Sequence, residues 1–291
     1  MRIGFVTSNE ALGRDREMSN LVAAAAAAGH EAEAVSWEAD GDLESFDVLV
    51  IRSTWNYVSK LEEFLGWARK LRGNEGAGAG PVLLNPDVIV RWNCHKRYLG
   101  DLARAGIPVV ESHLVRSFPE MLAYAQSTER VVAKPAVGGG ALGCSRFPSG
   151  DLLLARQAFD TAIARWPEIV VQPYLDGIEA EGEISLVVVG DEIVRGLRKS
   201  PAPGDWRVQR EWGGTVSEAG VTAEHRAIVA ACLSHVTDRC GAQPLFMRVD
   251  LMPGPEGRPL VSEIELIEPV LYADLHPEVG ERLVAALSQR R

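Results

Sequence analysis

Residues 131–143 read VVAKPAVGGGALG: an apolar run, Lys134, a proline, then Gly138, Gly139, Gly140 and Gly143. The β-branched run predicts a strand that ends at the lysine. Closely spaced glycines leave backbone N–H groups free to surround an anion, and a lysine at the strand end adds a point charge. Two readings compete. One is a strand closing in a flexible turn; the other is a lid over phosphates with the lysine beneath it. The pattern is not a Walker A loop, since no Gly-Lys-Ser/Thr follows, nor a GxGxxG that opens a helix.

The end of the chain carries a second signal. RVDLM (248–252) places Asp250 on a strand, and VSEIELIEP (261–269) places Glu263 and Glu265 two residues apart. That spacing puts both carboxylates on one sheet face. Like charges so close repel. A hard divalent cation such as Mg²⁺ relieves that repulsion by binding carboxylates together with phosphate oxygens. A solvated acidic face is the other reading, but Ile264 and Leu266 alternate with the glutamates. Between the two signals, RGLRKSPAPGDWRVQREWGGT (195–215) gathers Arg195, Arg198, Lys199, Arg207 and Arg210 in an acidic chain. Such a cluster is either solvated or, beside a triphosphate, a binder of phosphate and carboxylate.

The elements around these signals alternate. RIGFVTS (2–8), HEAEAVSW (30–37), DVLVIRST (47–54) and PVLLNP (81–86) read as strands, and 18–28 as a helix stopped by Gly29. KLEEFLGWARKL (60–71) is an amphipathic helix, and GNEGAGAG (73–80) a flexible surface loop. NCHKRYLGDLARAG (93–106) predicts one helix, with Asn93 as N-cap and Gly106 as its stop. IPVVESHLV, RVVAKPA and EIVVQPYL predict strands, with helices at FPEMLAYAQ and DLLLARQAFDTAIARW. Further on come a hairpin turning at Gly190-Asp191, a helix over 222–241 and two paired strands.

The 291 residues allow about two domains. A net charge of −10 with no basic stretch argues against a nucleic-acid partner. No run approaches the roughly 18 apolar residues of a membrane span, so no membrane partner is expected. Four scattered cysteines and a start without a signal-peptide pattern point to a cytoplasmic protein.

Together these motifs resemble the ATP-grasp superfamily over almost the whole chain. The resemblance implies an α/β ATP-grasp fold. A Rossmann-like pre-ATP-grasp domain would span 1–91, a lid subdomain with the glycine loop 92–175, and an antiparallel-sheet subdomain with the metal site 176–291. It implies that Lys96, on a connecting helix, and Lys134 hold ATP phosphates under the Gly138–Gly140 loop. Gln172, Tyr174 and Leu175 would read the adenine edge, and Glu183 the ribose. Arg198 would stabilise the transferring phosphoryl group. Asp250, Glu263 and Glu265 would bind two Mg²⁺ ions, or Mn²⁺. The family usually ends Glu-x-Asn, so Glu265 is a departure that alters charge balance and metal preference.

The stretch 198–214, RKSPAPGDWR…GG, is similar to the glutathione-synthetase and ribosomal-protein-glutamate-ligase branch, where Arg207 meets the substrate. IRSTWNY, RWNCHKRYL, KPAVGGGA, REWGGTV and EIELIEPVLY are similar to the cyclo-ligase group of cycloserine biosynthesis. The resemblance implies an ADP-forming carboxylate–amine ligase working through an acyl phosphate. Its substrate would be small and amino-acid-like, O-ureido-D-serine in the cyclo-ligase case, and the chain a homo-oligomer. Arg52, Ser53 and Thr54, at a strand end, would orient that substrate, with Trp55 and Trp212 close by. An intermolecular ligase and a non-catalytic ATP-binding module are the alternatives.

Overall fold

The computed structural model describes residues 1–39, 43–75 and 80–290. The chain opens with β1 (Arg2–Thr7), α1 (Met18–Ala27), β2 (Glu31–Ser36), β3 (Val48–Ser53), α2 (Leu61–Glu75) and β4 (Val82–Leu84). The four strands form a parallel sheet in the order β2-β1-β3-β4. Alternate residues serve its two faces: Ile3, Phe5 and Val50 enter one core, Val6, Leu49 and Ile51 another. α2 runs past the expected stop to Glu75, and residues 76–79 of the expected 73–80 loop lie outside the described residues.

The single helix expected over 93–106 is two helices. α3 (Asp87–Asn93) ends where an N-cap was expected, and α4 (Tyr98–Arg104) begins after a turn. The Asn93 side chain is committed elsewhere: it donates to Ile264 O (2.9 Å) and accepts from Leu266 N–H (2.9 Å). Lys96 N–H donates to Ala136 O (2.8 Å), which draws the turn toward the glycine loop.

A second sheet contains β5 (His113–Val115), β6 (Arg130–Pro135), β7 (Ser145–Pro148) and β8 (Ile169–Pro173), all antiparallel, in the order β5-β8-β6-β7. Two helices cover it, α5 (Phe118–Ala125), capped by Ser117, and α6 (Leu152–Ile163), capped by Asp151. Of IPVVESHLV only 113–115 is strand; Val109 instead makes an isolated bridge to Val261.

A short helix, α7 (Gly177–Glu181), leads to the third sheet. This consists of β9 (Glu183–Val189), β10 (Glu192–Ser200), β11 (Thr215–Glu218), β12 (Phe246–Pro253) and β13 (Pro259–Glu265). It is antiparallel with the order β11-β10-β9-β12-β13. The helices α8 (Ala223–Cys240) and α9 (Pro277–Ser288) complete the chain.

The two faces of this sheet differ. Leu186, Val188, Met247, Val249 and Ile264 pack on α3, α4 and α8. On the other face Val187, Val189 and Phe246 join Ile3, Phe5 and Leu21 of the first domain and Val279 and Leu283 of α9 in one core. The remainder of that face is charged. The fold is therefore the expected mixed α/β arrangement, a parallel N-terminal sheet followed by two antiparallel ones. Among the described residues no helix is long and apolar enough to cross a membrane.

Candidate active site

Strand register gathers the charged residues. Asp250 stands opposite both Ser185 and Glu263, Arg248 opposite Glu265, and Lys199 opposite Glu183. Since side chains alternate along a strand, all seven share one face. Arg248 forms a two-pronged pair with Asp250, Nε to Oδ1 at 2.9 Å and Nη2 to Oδ2 at 2.8 Å, and also contacts Glu265. Ser185 Oγ donates to Asp250 Oδ1 (2.5 Å). Lys199 contacts Glu183 and lies 3.4 Å from Asp250.

The two expected phosphate lysines converge on this face. Lys96 Nζ pairs with Glu263 (2.7 Å) and donates to Gly138 O (2.6 Å), tying the glycine loop to the carboxylate row. Lys96 sits in the turn between α3 and α4, not on a helix as expected. Lys134 lies on β6 within electrostatic reach of Lys96 and Glu263 and has no ion-pair partner among the described residues. Gly138 and Gly140 have φ of +153° and +60°, the left-handed region that favours glycine. Between the loop and the sheet is a small cleft lined by Tyr57, Lys96, Gly138, Gly139, Glu263, Glu265 and Glu268.

Electrostatics follow from burial and pairing. Burial pulls the Lys134 ammonium below its usual pKa, with Lys96 adding to the effect against Glu263. Burial acts on Lys96 in the same direction, but Glu263 outweighs it and the pKa rises. Glu263 is lowered: burial pushes it up, and Lys96 and Lys134 more than offset this. Asp250 is lowered by Arg248 and Lys199 in spite of its burial. Glu265 is pushed up to about 7 by burial and by Asp250 and Glu263, because Arg248 is shared with Asp250. Glu183 is raised by burial despite Lys199.

The other expected site residues divide. Gln172 is buried on β8 and donates to Ser112 Oγ (2.8 Å), and Tyr174 and Leu175 follow directly at the strand end. Tyr174 is covered by the guanidinium groups of Arg130 and Arg146, at 4.7 and 4.6 Å. Arg52, Ser53 and Thr54 close β3 and are all buried; Arg52 pairs with Glu17 (3.1 Å) and donates to Pro269 O (2.7 Å).

Arg198 does not join the cluster. It is registered opposite Ile184, on the other face of the sheet, and its guanidinium bonds Glu181 O. Arg207 is bound by Asp205 through two nitrogens (3.0 and 2.7 Å) and lies 3.5 Å over the Trp212 ring. Trp212 Nε1 in turn donates to Gly140 O (3.1 Å), so this segment closes on the glycine loop. Arg248 is the residue that sequence reasoning missed, and Lys199 was read only as one of a basic cluster. Arg248 could have been found two residues before Asp250 on the same face; Lys199 needed the pairing of β10 with β9.

The donor chemistry for a hard cation is present, but its geometry is partial. Glu263 and Glu265 open onto the cleft, whereas both Asp250 oxygens are already bonded. Among the described residues no three His, Cys, Asp or Glu side chains stand close enough to hold a metal ion. Cationic side chains offset the carboxylates instead.

Lys96, the glycine loop and the acidic sheet face thus meet at one cleft, with Lys134 within electrostatic reach. Residues 94–264 match the RimK-like ATP-grasp domain, and the chain belongs to that family; it is an ATP-dependent ligase, and the family works with ATP and Mg²⁺. Residues 3–79 match the N-terminal domain of D-cycloserine synthetase DcsG. The chain is 28% identical to the cycloserine biosynthesis protein DcsG of Streptomyces lavendulae, covering 99% of this chain and 98% of that one. The crystal structure of D-cycloserine synthetase DcsG superposes with a TM-score of 0.84 at 27% identity, over 100% and 99% of the two chains. A ribosomal protein bS6–L-glutamate ligase of Escherichia coli is 32% identical over 124 residues, 38% of this chain and 41% of that one.

Proposed function

We propose that this chain is an intramolecular cyclo-ligase that makes cycloserine from O-ureido-D-serine. The observation that carries the reading is the likeness to DcsG along the whole chain, the substrate-side N-terminal domain included. In this reading a carboxylate oxygen of the substrate takes the γ-phosphoryl group of ATP and ADP leaves. The nitrogen bonded to the side-chain oxygen then attacks the acyl carbon, phosphate leaves, and water removes the carbamoyl group. Both reacting ends belong to one molecule, so positioning lowers the barrier.

The residues take the following parts. Lys96 and Lys134 hold phosphate oxygens, and Gly138, Gly139 and Gly140 close over them and exclude water. Gln172, Tyr174 and Leu175 receive the adenine and Glu183 the ribose. Glu263 and Glu265, with Asp250 beside them, would hold magnesium, and the metal would offset charge on the phosphates. Arg248, with Lys199 beside it, takes the part first expected of Arg198 and stabilises the oxyanion of the tetrahedral intermediate. Arg52, Ser53 and Thr54 border the acceptor. Arg207 acts through Trp212 on the loop and not on the substrate.

The partial likeness to the glutamate ligase supports a second reading, an intermolecular ligase with a separate amine. ADP release measured with O-ureido-serine of both hands, with and without hydroxylamine, separates the two. A cyclo-ligase turns over the D-substrate without any added amine. ADP release only in the presence of a second amine supports the intermolecular ligase, and none with either hand sinks the substrate assignment.

A further inference from the structure

The cleft holds one acidic group that the nucleotide reading leaves unused. Glu268 lies three residues beyond the end of β13 and lines the cleft with Glu265, Lys96, Ile267 and Tyr57. Its Oε2 is buried without a hydrogen-bond partner. Stranding a buried acceptor in this way costs about 1–3 kcal/mol, more if it is charged. Arg52 is the cation that acts on it, yet the two form no ion pair. Arg52 is held in place by Glu17 and Pro269 O, its Nε and Nη1 have no partner, and neither does the hydroxyl of Thr54. Burial and the neighbouring Glu265, with a smaller contribution from Asp15, push the Glu268 carboxyl well above the usual range, against Arg52. One oxygen of Glu268, a half-buried residue lining the cleft, therefore lacks the partner that a donor group on a ligand could supply.

Two features favour an ammonium group over a metal ion. Magnesium takes several oxygens in a tight octahedron, whereas Glu268 offers one buried oxygen without a partner. Ile267 and Tyr57 give this part of the cleft an apolar wall, which suits an ammonium carried on carbon.

We propose that Glu268 receives the α-ammonium of an amino-acid substrate and is the residue that makes the enzyme select amino acids over the same acids without the amine. The assignment rests on the ligase reading above. Its chemical sense is that an activated carboxyl beside a free amine invites attack by that amine on another acyl phosphate. Held as an ammonium against Glu268, the nitrogen has no lone pair to offer. Arg52 is a positioning residue here, favouring the ionised carboxylate from behind.

The test is steady-state ADP release with O-ureido-D-serine, O-ureido-L-serine, the twenty common amino acids and the corresponding acids lacking the amine. For its best substrate the wild type is expected to prefer the amine-bearing acid by about 100-fold or more in kcat/KM. Glu268→Gln should shrink that preference to within about 5-fold, mainly through KM, and Glu268→Asp should keep part of it. The dependence on Mg²⁺ concentration should not move. A thermal shift on adding MgATP shows that each variant is folded; if the glutamine variant is not, the aspartate variant carries the test. A glutamine variant that keeps the preference, or shows a changed Mg²⁺ dependence in its place, overturns the assignment. So does a wild type indifferent to the amine, which leaves the ligase reading standing. No ADP release with any acid overturns both.

Discussion

Arg248 sets the electrostatics of the carboxylate row. It is buried, it neutralises Asp250 through a two-pronged pair, it contacts Glu265, and its Nη1 donates to Val270 O (3.2 Å). Truncating one member of such a buried pair strands the other's charge. Arg248→Met should therefore destabilise the protein by about 3–5 kcal/mol in urea titrations and abolish ADP release. Arg198→Ala, on the opposite face, should change ADP release by less than about 3-fold. Glu265 gives a pH dependence. Its carboxyl is raised from an ordinary 4.5 to about 7, so the native state binds a proton that the unfolded chain has already released between those values. Unfolding free energy should fall as pH rises through that interval, by at most about 1.4 kcal/mol per unit, and level off above it. Glu265→Gln should flatten the slope, read by urea titration of the metal-free protein at pH 5, 6, 7 and 8. Glu263 and Glu265 were legible in the sequence because a two-residue spacing fixes their common face. Arg248 obeys the same spacing relative to Asp250, but an arginine beside an acidic strand residue reads at first as one more surface charge.

At the scale of elements, the decisive joint is the turn between α3 and α4. Asn93 holds the end of β13 by two hydrogen bonds, and Lys96, three residues on, reaches Glu263 on the same strand. Asn93→Leu leaves Ile264 O and Leu266 N–H without partners, each costing about 1–3 kcal/mol. The expected result is a loss of about 2–4 kcal/mol in stability and a KM for ATP raised at least severalfold, from chemical denaturation and ADP-release kinetics. A second element-scale test is Gly182, where φ is +74° and an added Cβ would lie 2.5 Å from Lys199 O. Gly182→Ala must shift β10 and with it the Lys199–Glu183 contact, so both stability and turnover should drop. The strands were legible from β-branched runs and turn residues. The break at 94–97 was not, because helix signals at Asn93 and Gly106 describe local preference, whereas the turn is held by contacts with residues 136 and 263–266. The face presented by β10 was hidden for a related reason. Adjacent Arg198 and Lys199 point opposite ways, and only pairing with β9 decides which one enters the site.

For the whole molecule, the account is one of balanced charge. Lys96, Lys134, Lys199 and Arg248 stand against Glu183, Asp250, Glu263 and Glu265 on one face. The apolar half of the same face packs against the N-terminal sheet and α9 in one core. The domain order was legible because motifs arrive along the chain in a sequence that resembles one family. The pairing of Arg52 with Glu17, 35 positions away, and with Pro269, 217 positions away, was not. MgATP at about 100 times its Kd should stabilise the protein by about 2.7 kcal/mol, seen as a rise in Tm, and Lys134→Ala should remove most of it. The central claim, that this face energises a carboxylate, has its most direct test in the fate of the carboxylate oxygen. With the carboxyl of O-ureido-D-serine labelled with ¹⁸O, ³¹P NMR should find one labelled oxygen in each phosphate released; turnover that yields only unlabelled phosphate would contradict it.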